Sequence, residues 1–324
     1  MINVRTDLAL EASQLYKEQN KKDADGIVVE ERVEDDNKVT IVKVLNEDGA
    51  KKVGKPIGTY ITLDIPEYTA YDGELMDDTS NVFGNVLKKL INVDEKSIVL
   101  VVGLGNIKVT PDALGPKVIE KIMVTRHLRD VMPEVIDDSV IPVGAISPGV
   151  LGITGIETGE IIKALVEKIK PTLVICIDAL ASRKTERVNR TIQISDSGIA
   201  PGAGVGNKRM EINEKSLGVK VIAIGVPTVV HASTIANDTI DLVIDELISK
   251  AEKGKDFYNM LKSVDKREKS LLIHEVLDPF VGDLVVTPKD IDLMVDSLSK
   301  IIANGINIAT QPNMTVDEIN KFLN

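Results

Sequence analysis

Four apolar runs recur through the middle of the chain, with longer helix-like segments between them: residues 97–104 (SIVLVVGL), 140–146 (VIPVGAI), 172–178 (TLVICID) and 220–226 (KVIAIGV). A continuous run of this kind has no polar face to offer water, so it reads as a strand buried on both sides. Strands of that character alternating with helices specify an α/β fold with a doubly wound, mostly parallel sheet. Ahead of them, residues 27–34 (IVVEERVE) and 38–45 (KVTIVKVL) alternate around the turn-prone Asp35-Asp36-Asn37, and residues 59–65 (TYITLDI) follow. That pattern predicts an N-terminal antiparallel β extension with one solvated face. Residues 6–22 read as a charged helix or tail, and residues 81–91 (NVFGNVLKKLI) have helical spacing. Residues 157–169 (ETGEIIKALVEKI) form an amphipathic helix stopped by Pro171, and after Val230 the chain reads as helical to its end.

Two of the buried runs deliver an aspartate to the same kind of place. Asp112 and Asp178 each open the tripeptide D-A-L, one in the segment after the first run and the other at the end of the third. Ligands of open α/β sheets bind in the crevice beyond the carboxyl ends of the strands. Two acids set there side by side can share a proton and activate water, as in acid proteases. Each has a plainer explanation. Thr110 as cap, Pro111 in the first helical position and Asp112 near the helix dipole describe an ordinary helix start. A second V-T-P block at residues 286–288, leading to Asp290, carries no sign of chemistry. Asp178 ends an apolar strand and must be solvated, paired or functional, with Arg183 and Arg187 as candidate partners.

Other motifs carry less. The V-G-L-G-N-I-K stretch has Lys108 where a dinucleotide fingerprint needs its third glycine, so its glycines read as a strand-end turn. Asp196-Ser197-Gly198 matches the D-[ST]-G of pepsin-like proteases, but here it reads as a loop turn. The glycine-rich segment after it ends in Lys208 and Arg209, which can line a substrate groove. His127, His231 and His274 lie far apart with no H-E-x-x-H, and Ser147 does not sit in a nucleophile elbow. The single cysteine, Cys176, falls inside a strand and reads as core. A net charge of -11 argues against binding nucleic-acid phosphates. No secretory signal or membrane-length apolar run is visible, so a cytoplasmic protein is expected.

Taken together, VRTDLALEA, VVGLGN…VTPDALGPKV, TRHL, PGVLGITGIETGEII, IDALASRKTERVNRTIQISDSGI, PGAGVGNKR, GVPTVV, LIHEVL and VTPKDID resemble the germination proteases of spore-forming bacteria. These endopeptidases begin the degradation of small acid-soluble spore proteins. The resemblance implies an aspartic-type peptidase whose two acids fall on Asp112 and Asp178, with no cofactor. It also implies a fold similar to that of hydrogenase maturation proteases, a homotetramer, a place in the forespore or spore core, and a zymogen that removes its own propeptide. Residues 6–12 also resemble the cleavage segment of the spore proteins, so self-cleavage is expected between Asp7 and Leu8, in an extended segment. Lys208 and Arg209 are the expected partners of the flanking acidic side chains. The expected organisation is a propeptide (1–7), an N-terminal β-rich region (8–95), an α/β catalytic core (96–248) and a helical C-terminal region (249–324). Two alternatives stay open: a metal-dependent peptidase using the same acids with His127, and a nucleotide-binding regulator built on the G-L-G-N turn.

Overall fold

The computed structural model describes residues 6–34, 37–67, 69–131, 139–202, 209–251, 253–264, 268–269, 272–273, 275–277, 284–314, 318–319 and 321. Lys208, His274 and the turn residues Asp35 and Asp36 therefore lie outside it. The described residues form one sheet of nine strands. These are β1 (Ile27–Glu34), β2 (Asn37–Val44), β3 (Gly58–Asp64), β4 (Val99–Gly103), β5 (Val143–Ile146), β6 (Leu173–Ser182), β7 (Thr191–Ser195), β8 (Lys220–His231) and β9 (Val285–Val286). Their order is β1-β2-β3-β7-β8-β6-β4-β5, with β9 on the end of β8. The four apolar runs are β4, β5, β6 and β8, and they pair parallel with one another. All other pairings are antiparallel, so the fold is α/β with a parallel centre and an antiparallel N-terminal extension.

Alternation along the strands sorts the core into two faces. Val99, Val101, Ile175, Ile177, Ile192, Ile194, Ile222 and Ile224 face one way and meet the helices Gly73–Ile91 and Ile291–Thr310. Asp72 starts the first of these helices by accepting from the N–H groups of Glu74 and Leu75. Ile301, Ile302 and Ile306 of the second are fully enclosed, each stabilising the fold by about 1.5–3 kcal/mol. On the opposite face, Leu100, Val102, Val174 and Cys176 pack with Ile162 and Val166 of the Thr158–Ile169 helix. Farther along that sheet, the Ala9–Asn20 helix sets Ala9 and Leu10 against Val42, Val44 and Tyr60.

Two strands depart from the expectation. The segment TIQIS becomes β7, which joins the antiparallel extension to the parallel centre by pairing with β3 and β8. The stretch after Val230 is also not wholly helical, because Val285 and Val286 pair with His231 and Val230. Both segments are too short for periodicity to reveal, and their partners fix them.

Candidate active site

β4 has β5 on one side and β6 on the other, so the chain reverses its direction of travel across the sheet between β4 and β6. Such a switch point opens a crevice at the carboxyl ends of the strands. β4 stops at Gly103, opposite Ile177, while β6 runs on to Ser182. The edge of β6 beyond Ile177 is thereby left free of β4, and both D-A-L aspartates are here.

Asp112 does not start a helix. Thr110–Asp112 is a single 3-10 turn, Val109 rather than Thr110 occupies the cap position, and the helix Leu114–Ile119 begins afterwards. The Asp112 carboxylate instead turns back and accepts from the Asn106 N–H (2.8 Å), which also donates to the Asp112 carbonyl (3.0 Å). This gives the G-L-G-N turn its purpose. Gly105 has φ +108°, and a Cβ there would lie 2.1 Å from the Asp112 carbonyl oxygen, so only glycine lets the turn close on the acid. From the other side, the Thr228 hydroxyl of β8 holds the Pro111 carbonyl at 2.7 Å.

Asp178 does not end its strand as expected: it is buried within β6, one residue past the last pairing with β4, and accepts from the Ala179 N–H (2.9 Å). Neither arginine weighed as its partner takes that role: Arg183 pairs with Asp238, and Arg187 with Asp64 and Glu11. Burial raises its pKa well above the ordinary carboxylate value, the Asp112 and Asp7 carboxylates push it further, and Arg209 opposes them. Asp112 is half-buried, and desolvation raises its pKa too, against the Asn106 N–H and Arg209. The fold thus brings Asp112, Asp178 and Arg209 into electrostatic contact. Buried Cys176 is held as a thiol, its pKa pushed up to about 12.

Asp7 is a third acid in the crevice, and this is where sequence reasoning was incomplete. Its N–H donates to the Ala181 carbonyl (3.0 Å), and its Oδ2 accepts from the Ala181 N–H (2.9 Å). The N-terminal segment is therefore tied to β6 at Ala181 by one main-chain bond and one bond to the Asp7 side chain. Leu8 is extended, and within the stretch 6–22 the helix begins only at Ala9. The Thr6 hydroxyl accepts from the Leu8 N–H (3.1 Å) and donates to Glu11. Gln193 of β7 accepts from the Ala9 N–H (2.7 Å) and donates to the Asp7 carbonyl (3.2 Å). Buried Glu11 accepts from the N–H groups of Arg183 (2.7 Å) and Lys184 (2.9 Å) beside Arg187. Lys55 donates to the Thr6 carbonyl (2.9 Å); desolvation lowers its pKa against the pull of Asp7 and Glu11. Desolvation likewise raises that of Asp7, against Lys55, the Ala181 N–H and His231. Gln193 and Lys55 carried no sequence signal, because each acts through a partner remote in the chain, and the pairing of Glu11 with Arg187 was hidden for the same reason.

The remaining expectations resolve locally. Asp196 of the D-S-G triplet accepts from the Thr59 N–H (2.7 Å), a loop-tying role. His127 is exposed in the turn beside β5. Among the described residues, no three His, Cys, Asp or Glu side chains are grouped to hold a metal ion, and no helix is long and apolar enough to cross a membrane. Asp290, in the second V-T-P block, accepts from the exposed Tyr71 hydroxyl and makes no capping bond. Asp290→Asn keeps that acceptor and is expected to leave peptidase activity near wild type and stability within roughly 0.5 kcal/mol. Rate assays and thermal melts check this, and a collapse of activity would place the chemistry on the wrong V-T-P element.

The sequence pattern of the germination protease family matches residues 4–251 and 243–323. The germination protease of Clostridium perfringens is 66% identical over 325 residues, covering 100% of both chains. That of Clostridium tetani is 59% identical over 100% of both, and that of Priestia megaterium 41% identical over 95% of this chain and 93% of its own. A [NiFe] hydrogenase maturation protease of Thermococcus kodakarensis aligns with 60% of this chain and 99% of its own at 16% identity. Its TM-score of 0.28 is too low to carry any statement about the fold. With the family pattern spanning nearly the whole chain and a relative 66% identical along its full length, this chain belongs to the germination protease family and is a peptidase.

Proposed function

We propose that the chain is an aspartic-type endopeptidase in which Asp112 and Asp178 share one proton and activate water. The observation that carries this is the pair itself: two acids at the switch-point crevice, both with raised pKa values, the charge of one acting on the other. Asp178, fully enclosed and facing two other acids, is the protonated member. Asp112, half-exposed and steadied by the Asn106 N–H, is the ionised one. Asp112 takes a proton from water as its oxygen attacks the scissile carbonyl, and Asp178 gives its proton to the carbonyl oxygen. On collapse of the tetrahedral intermediate, the proton on Asp112 passes to the leaving amine and the carbon–nitrogen bond breaks. The hydroxyl proton of the intermediate returns to Asp178, so both acids end as they began. The titration belongs to the pair.

The same reading extends to biology through the relatives' name and the resemblance of residues 6–12 to a spore-protein cleavage segment. The enzyme is a homotetrameric zymogen of the forespore or spore core that begins the degradation of small acid-soluble spore proteins. It matures by cutting between Asp7 and Leu8. Lys208 and Arg209 contribute to holding acidic substrate; Arg209 faces the catalytic acids. The docking of Asp7 on β6 supports the choice of bond, since it lays the segment beside Asp178.

The test is incubation of purified protein at mildly acid pH, where Asp178 keeps its proton, followed by intact mass and N-terminal sequencing. A new terminus at Leu8, absent from Asp178→Asn, is expected. Persistence of Met1 throughout, or the same cut in the variant, refutes the reading. A chelator is expected to leave the rate unchanged; loss of activity restored by a divalent cation would favour the metal-dependent alternative.

A further inference from the structure

Gln193 makes the only side-chain hydrogen bond among the described residues to the carbonyl of Asp7, the carbonyl that cleavage at Asp7–Leu8 would attack. Its two amide atoms reach across that bond. Nε2 donates to the Asp7 carbonyl oxygen on one side, and Oε1 accepts from the Ala9 N–H on the other. The amide orientation is fixed by chemistry, because a carbonyl can only accept and a backbone N–H can only donate. Gln193 is itself buried and rises from the middle of β7, so its position is set by a sheet rather than a loop. It also lies in one register row with the proposed catalytic acid: Gln193 pairs with Gly225 of β8, and Gly225 pairs with Asp178 of β6. Residues paired across neighbouring strands project to the same face of the sheet. Two inter-strand spacings separate them by about 10 Å, room for one extended peptide between the two side chains.

We infer that Gln193 is a further catalytic residue: its amide N–H polarises the scissile carbonyl opposite the two acids, and its amide oxygen fixes the peptide two residues downstream. This rests on the two-aspartate reading and on Asp7–Leu8 as the bond cut. A donor aimed at the oxygen that gains charge is stronger in the transition state than in the ground state, so it acts on turnover as well as binding. Gln193 grips the main chain alone, so the role applies to any substrate that takes the place of residues 7–9. The Asp7 side chain is held separately, by the Ala181 N–H.

The experiment measures self-processing of the full chain, and kcat and KM on a synthetic peptide of residues 1–15, for the wild type, Gln193→Met and Gln193→Glu. Gln193→Met keeps the side-chain volume and loses both hydrogen bonds; kcat is expected to fall roughly a hundredfold or more. Gln193→Glu keeps the acceptor but donates only when protonated, so its rate relative to wild type is expected to recover as pH falls. That signature would not follow from a structural role, and it remains readable if Gln193→Met folds poorly. Near wild-type kcat in folded Gln193→Met, a change confined to KM, or no relative recovery of Gln193→Glu in acid each overturns the inference. If Asp178→Asn is dead in the same assay, the two-aspartate reading survives that failure. Cleavage persisting in Asp178→Asn, or a wild-type cut away from Asp7–Leu8, overturns the underlying reading and the inference with it.

Discussion

Asp178→Asn and Asp112→Asn are each expected to lose peptidase activity by roughly a thousandfold or more while remaining folded, and the double variant is expected to be little worse than either single one. Members of one catalytic unit fail together, because removing one leaves the other without a function. Both substitutions preserve the local bonds, since an amide oxygen still accepts from the Ala179 N–H at position 178 and from the Asn106 N–H at position 112. Stability gives a second, independent readout. Asp178 has a folded pKa raised above its unfolded value near 4, so the native state binds more protons than the unfolded chain between those two pH values. Stability contributed by the protonated acid is present below the unfolded value and is lost as pH rises through the folded one. Asparagine has no charge to bury, so Asp178→Asn is expected to melt above the wild type at neutral pH and to converge with it toward about pH 4. Turnover by either folded single variant at near wild-type rate would remove that residue from the mechanism. A melting difference independent of pH would deny that Asp178 carries a raised pKa.

Gly105→Ala is expected to be nearly as damaging to activity without touching either acid. The new Cβ would sit 2.1 Å from the Asp112 carbonyl oxygen, a main-chain atom that cannot rotate away, at a φ of +108° that an L side chain rarely adopts. Strain and overpacking of this kind cost about 2–5 kcal/mol together. The turn relieves the clash by moving Asp112, which breaks its two bonds from the Asn106 N–H. A catalytic group displaced by about 1 Å loses on the order of a hundredfold in rate. The sheet should persist, so far-ultraviolet circular dichroism stays native while the rate falls. A fully active Gly105→Ala would mean that this turn does not position Asp112 for catalysis.

The site was only partly legible in the sequence. Asp112 and Asp178 stood out because an acid after a buried apolar run is chemically conspicuous. Asp112 also fitted the grammar of a helix start, and only the observed 3-10 turn, with its carboxylate folded back onto Asn106, removed that explanation. Arg183 and Arg187 were near Asp178 in sequence yet serve Asp238, Asp64 and Glu11, because both lie beyond the end of β6 at Ser182, with Arg187 in the turn Thr185–Arg187. The substrate-like stretch at residues 6–12 was visible as a motif. Its docking was not, because the partners Ala181 and Gln193 lie more than 170 positions away.

The sequence by itself determined the α/β class, the four parallel strands and the N-terminal hairpin, since burial on both faces, or on one, is written as a local pattern of apolar residues. Tertiary structure alone decided that TIQIS becomes β7, that β6 outruns β4, that Asp7 and Asp112 are brought to Asp178, and that Gln193 of β7 reaches Asp7. Those outcomes depend on which strands are neighbours and where each ends, and hydrogen bonding between remote segments settles that.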